Sequence, residues 1–136
     1  MWAIGTKFEV KTSTSFEELG SVTSIHIPGI TTDTQVATTL STTDNEDGFE
    51  QIVATVHRSD EGSVTVLHSC SNTVLDSLKT SQISRTAVEC QITFPENSAA
   101  DVEFTAIITG IEFDEITPEG LIKTTVKFKP TGAVTL

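Results

Sequence analysis

The sequence predicts a mainly β fold: a β-sandwich or barrel with one short flanking α-helix and one long loop. Three observations carry this. Apolar and polar residues alternate with a period of two in segment after segment, which turns one side of each toward a core. Thr and Ser are abundant while Tyr is absent, and β-branched hydroxyl residues suit the solvated face of a strand. Only one stretch, beginning after Asn72, repeats its apolar residues at the spacing of a helix.

The elements follow in order. Ile4, Thr6, Phe8 and Val10 alternate with Gly5, Lys7, Glu9 and Lys11, so the chain opens on a half-buried strand. A polar turn at 12–15 leads to Phe16-Glu17-Glu18-Leu19-Gly20. Residues 21–27 form a second strand with Thr23, Ile25 and Ile27 on one face, and Pro28-Gly29 ends it. Residues 29–61 read as a long loop. It holds a short extended piece at 35–40, an acidic run from Asp44 to Glu50, and an alternating piece of Ile52, Ala54 and Val56. A connection of that length inside one domain is usually functional or disordered.

After it, residues 63–69 form a strand with Val64, Val66 and His68 on one face. Asn72 can accept from a free N–H in the first turn of a helix whose apolar stripe is Val74, Leu75 and Leu78. Three strands close the chain. At 86–94, Val88, Cys90, Ile92 and Phe94 share a face. At 101–113, Val102, Phe104, Ala106 and Ile108 share one, and the apolar set then shifts to Ile111 and Phe113, which predicts a bulge at Gly110. The turn Thr117-Pro118-Glu119-Gly120 leads into 121–129, where Ile122, Thr124, Val126 and Phe128 oppose Lys123, Thr125, Lys127 and Lys129.

Composition bounds the function. The 136 residues suffice for one domain with a single core. The net charge of −11, from 19 acidic and 8 basic residues, argues against direct binding to nucleic acid, which needs cations to displace counterions from phosphates. It argues equally against an anionic membrane surface. No stretch nears the roughly 20 apolar residues of a membrane helix, and no basic region followed by an apolar run marks a signal peptide. Cys70 and Cys90 do not make a disulfide framework; both fall at strand-like positions and read as buried free thiols.

No constellation supports catalysis. His26, His57 and His68 lie in separate segments, and His68 with Cys70 supplies two ligands where a zinc site needs more. The run Asp44-Asn45-Glu46-Asp47-Gly48 lacks the ligand order of a calcium loop. There is no nucleophile motif and no Gly-rich phosphate loop. Neither a metal nor a cofactor is expected, nor an enzymatic activity.

A set of short pieces recurs in order along most of the chain. Near the start are Ile4-Gly5-Thr6 and Phe16-Glu17-Glu18-Leu19-Gly20-Ser21-Val22-Thr23-Ser24-Ile25. Then come Pro28-Gly29, Val36-Ala37-Thr38-Thr39-Leu40 and Asp60-Glu61-Gly62-Ser63-Val64. Ile92-Thr93-Phe94-Pro95, Ile108-Thr109-Gly110-Ile111 and residues 121–132 complete it. In these pieces the chain resembles the major tail tube proteins of long, non-contractile-tailed (siphovirus) bacteriophages. The resemblance does not extend over residues 41–56.

The resemblance implies a single tail tube domain over 1–136, a β-sandwich with a helix related to the tube proteins of type VI secretion. It implies hexameric rings, stacked into a hollow tube through which genomic DNA is ejected into the host. Sheets of neighbouring subunits would join into a barrel around the lumen. The partners implied are the chain itself and the tape measure, tail tip and tail terminator proteins. DNA would pass without specific binding, and no membrane is involved. The protein would be made and assembled in the host bacterial cytoplasm and end in the virion tail.

By the same analogy the loop at about 29–61 would reach the next ring and order on stacking, with Val36, Leu40, Asp44, Glu46, Asp47, Phe49 and Ile52 as its contact residues. An acidic lumen would repel phosphates, and Glu89, Glu103, Glu112 and Asp114 are the candidates to line it. The other reading of those four makes them outer-surface residues or cross-strand partners of Lys123, Lys127 and Lys129. The rival function is a non-enzymatic β-sandwich binding module of a virion, for carbohydrate or another surface partner.

Overall fold

Alternation decides most of this fold. In the computed structural model, which describes residues 3–12, 15–36, 52–96 and 101–135, nine strands and one helix form among the described residues. They are β1 (Lys7–Lys11), β2 (Phe16–Glu18), β3 (Val22–His26), β4 (Ile30–Val36), β5 (Ile52–Ser59), β6 (Gly62–Leu67), α1 (Thr73–Ser84), β7 (Val88–Thr93), β8 (Val102–Phe113) and β9 (Lys123–Thr135). Seven strands form one sheet in the order β2-β1-β7-β8-β9-β6-β3, while β4 and β5 pair with each other. Every pairing is antiparallel.

The sheet must roll. Its two edge strands, β2 and β3, are joined only by Leu19, Gly20 and Ser21. A flat sheet would hold those edges roughly 29 Å apart at about 4.8 Å per strand, and the link reaches at most about 14 Å. The edges therefore come together at that end, and the concave face closes on itself. Phe8 of β1 meets Phe128 of β9 with ring centroids 5.7 Å apart, and Phe104 of β8 stacks on the same ring at 5.2 Å. Around them Val10, Val64, Val66, Cys90, Ile92, Val102, Ala106, Ile108 and Val126 form one buried core.

The helix closes this core. Val74, Leu75 and Leu78 point into it, and α1 packs against β8. The Asn72 side chain accepts from the N–H of Leu75 at 3.1 Å and donates to the carbonyl of Leu19 at 2.7 Å. One residue thus caps the helix and ties it to the link that rolls the sheet. At the other end Arg85 takes the left-handed conformation (φ 60°), and the N–H of Thr86 reaches back to Ser81.

The bulge expected at Gly110 is present as a register shift between Ile108 and Gly110. Four expectations are corrected. The first strand starts at Lys7, not Ile4, because Gly5 sits at positive φ in a turn closed by Thr6 N–H to Ala3. Thr23 does not join Ile25 and Ile27, since a register shift lies between Val22 and Ser24 and turns Thr23 outward. Ile122 lies before β9 and is exposed. Cys70 is exposed, because β6 ends at Leu67 and the alternation does not reach it; Cys90 is buried.

The largest difference concerns residues 29–61. Their flanks are not loop but a two-stranded arm, Val36 pairing with Ile52 and Ile30 with Ser59. The arm continues the β3–β6 ladder. His26 pairs with Ser63, and Ile30 pairs with Ser59 in the same register, with Asp60 N–H to Gly29 carbonyl bridging the gap. Pro28 interrupts the ladder because it has no N–H. At the root Gly62 is obligatory: a Cβ there would lie 2.6 Å from the Phe128 ring and 2.9 Å from the His26 carbonyl.

Candidate assembly surfaces

Both strands of the arm are exposed along almost their whole length. Ile30, Val36, Ile52, Val53 and Val56 all stand in solvent. Its strands are held by their ladder, by an Arg58–Asp33 ion pair at 2.6 Å and by a Thr32–His57 hydrogen bond at 2.9 Å. Its base rests beside Gly132, Ala133 and Val134 of β9. An isolated two-stranded ribbon is at best marginal in water. Of the seven loop residues expected to make contacts, Val36 and Ile52 sit opposite each other on the arm. Leu40, Asp44, Glu46, Asp47 and Phe49 lie outside the described residues.

The convex face of the sheet is charged. Glu89, Glu103 and Glu112 all project from it, since their strand neighbours Cys90, Val102, Phe104 and Ile111 turn inward. Lys123, Lys127 and Lys129 of β9 share that face, opposite the buried Thr124, Val126 and Phe128. Glu112 pairs with Lys127 at 3.1 Å, and Glu89 pairs with Lys11 of β1 at 3.1 Å. Asp114, just past β8, accepts from the Thr125 hydroxyl at 2.6 Å. The fold therefore gathers all four acidic candidates on or beside one face. It partners two of them with lysines, one of which, Lys127, was among those considered.

Two apolar surfaces escaped the sequence reading. One is the turn of the β8–β9 hairpin, where Phe113, Ile116, Leu121 and Ile122 are exposed together. Its signal was present as apolar residues flanking a Pro-Glu-Gly turn, where polar ones are usual. The other is a groove of about 520 Å³ between Ile4, Ile92 and Phe94 on one side and Val22 and Ile25 of the β3 edge, with Ile27 just past it, on the other. It exists because β2 covers only Glu9 to Lys11 of β1 and leaves the seam open beyond.

Among the described residues no three His, Cys, Asp or Glu side chains gather as metal ligands. His68 has a structural role: its Nδ1 hydrogen-bonds the buried Thr124 hydroxyl at 3.2 Å, and its ring meets Phe113 edge-on at 4.9 Å. The Cys90 thiol is pushed up to about 12 by burial, far from the thiolate a nucleophile needs. No described helix is long and apolar enough to cross a membrane.

No family model matches the sequence, and no curated protein does. Solved structures do match the fold. A chain in the virion of a native gene transfer agent particle superposes with a TM-score of 0.73 at 14% identity, over 99% of this chain and 97% of its own. A chain from the tail of the empty gene transfer agent particle, refined with helical and C6 symmetry, gives 0.70 at 15%, over 95% and 92%. The SPP1 tail tube gives 0.64 at 10%, over 93% of this chain and 73% of that one. The chain therefore shares the fold of these tail and tail tube chains.

Proposed function

We infer that this chain is a structural subunit of a phage-type tail, whose copies close into hexameric rings and stack into a hollow tube. The observation that carries this is the arm: a ribbon whose apolar residues Ile30, Val36, Ile52, Val53 and Val56 are exposed on two strands. A second molecule seated on it would cover that apolar surface. The likeness in fold to a tail chain refined with C6 symmetry supports the ring number, and the SPP1 tail tube supports the tube. The protein acts by assembling, not by catalysis, and its place is the virion tail. Tape measure, tip and terminator proteins are its partners at the ends and inside.

DNA passes through the tube without being gripped. The charged convex face is the surface suited to the lumen. Its four acidic candidates are matched in number by Lys11, Lys123, Lys127 and Lys129, so it offers phosphates no net cationic patch to grip and leaves the strand free to slide. Glu103 and Asp114, which have no lysine partner among the described residues, are where a phosphate would meet negative charge that is not offset. Glu89 and Glu112 are offset by Lys11 and Lys127.

Negative-stain electron microscopy of the purified protein tests this reading. Tubes or six-fold rings are expected at high concentration. A protein that stays monomeric at millimolar concentration, in every salt condition, overturns it.

A further inference from the structure

We propose that the surface receiving the arm is the turn of the β8–β9 hairpin on a second copy of this chain, in the next ring. The inference rests on the tube reading and adds to it which two surfaces meet. The hairpin turn presents Phe113, Ile116, Leu121 and Ile122, exposed by 53%, 62%, 69% and 44%. It is held in shape by Asp114 N–H to Lys123 carbonyl at 3.0 Å and by His68 N–H to Ile122 carbonyl at 2.8 Å. The Phe113 ring is further braced against His68. This is a preformed apolar knob.

Its position relative to the arm is set by strand register. In the β6–β9 ladder Leu67 pairs with Lys123, beside the knob, while Gly62 pairs with Phe128, where the arm departs. Because the arm keeps the register of the β3–β6 ribbon, it leads away from the knob. From Ile52 to Leu67 the ribbon runs roughly 50 Å at about 3.3 Å per residue. One molecule therefore carries two unlike apolar surfaces at opposite ends of one axis. An arm cannot fold back onto its own knob, and an arm-to-arm pairing would close a dimer. Arm to knob is a heterologous contact that repeats without closing along that axis.

Size agrees with this geometry. Each surface exposes on the order of 400 Å² of apolar side chain, at the upper end for a lone monomer. Joined once they bury roughly 800 Å², below the 1,200–2,000 Å² of a stable complex. A single contact would not hold two monomers, but six made at once across a ring boundary would hold two rings. Rings then stack only as rings, and no free chain is consumed in dead-end pairs.

The test uses full-length protein with Ile116→Asp and Leu121→Asp together. Both sites are exposed, so the thermal midpoint should stay within about 3 °C of wild type. The concentration needed for tube growth should rise at least tenfold, with single rings persisting. Tubes at the wild-type concentration would overturn the proposal. Oxidation of Val53→Cys with Leu121→Cys, in a Cys70→Ser background, should give covalent ladders longer than six subunits when tubes are present. Ladders from Val53→Cys with Ile4→Cys in their place would assign the arm to the seam groove and also overturn it. Wild-type protein that forms no tubes at all would overturn the tube reading first.

Discussion

At the scale of single residues, environment separates side chains that look alike in the sequence. Cys70 and Cys90 both seemed to sit on strands, but β6 ends three residues short of Cys70. Cys70 is left in solvent, 3.9 Å from His68, while Cys90 is buried with its thiol held near 12. A thiol-reactive probe at pH 8 should therefore add one label to the native protein, at Cys70, and a second only after denaturation. Two labels on the native protein by mass spectrometry would contradict the burial. Gly62 is a similar case: nothing in the sequence marks it out from the other glycines, yet among the described glycines only it underlies a Phe ring within contact distance.

At the scale of elements, the helix is where local and long-range demands meet in one residue. Asn72 caps α1 and also binds the Leu19 carbonyl. Asn72→Ala should cost about 1 kcal/mol for the cap and roughly 1–2 kcal/mol more for the unpaired carbonyl of a fully buried residue. Asn72→Asp keeps the cap acceptor but loses the donor, so it should fall between alanine and wild type. Denaturant midpoints at dilutions that prevent assembly will check this order; an Asp variant equal to wild type would rule out the Leu19 contact. The arm shows the opposite balance. Its cross-strand ion pair and hydrogen bond fix its internal geometry, but its apolar side chains Val36, Ile52, Val53 and Val56 stay largely exposed.

At the scale of the molecule, three surfaces divide the work. The concave face makes the core, the arm and hairpin knob lie at the two ends, and the convex face carries charge. On the tube reading the convex face borders the lumen, which predicts a separation of phenotypes. Glu103→Lys should leave tube assembly unchanged and slow DNA ejection from complete tails at low salt, by adding a cation where phosphates pass. An unchanged ejection rate would remove Glu103 from the lumen. The arm and knob belong to the other phenotype, with assembly lost and the monomer intact.

By itself the sequence determined the inward-facing residues of β1, β6, β7, β8 and most of β9, the helix with its Asn72 cap, and the bulge at Gly110. These are properties of short segments, because alternation and capping depend on neighbours within about four residues. The arm was half legible: its alternation at Ile52, Ala54 and Val56 was visible, but its partner β4 was not, since Thr-rich strands exposed on both faces carry no apolar rhythm. Only the tertiary structure decided the rolling of the sheet, the gathering of Glu89, Glu103, Glu112 and Asp114 about one face, and the placing of arm and knob at opposite ends. Each depends on strand order and register between segments distant in sequence, and those are fixed by the shared core rather than by any local pattern.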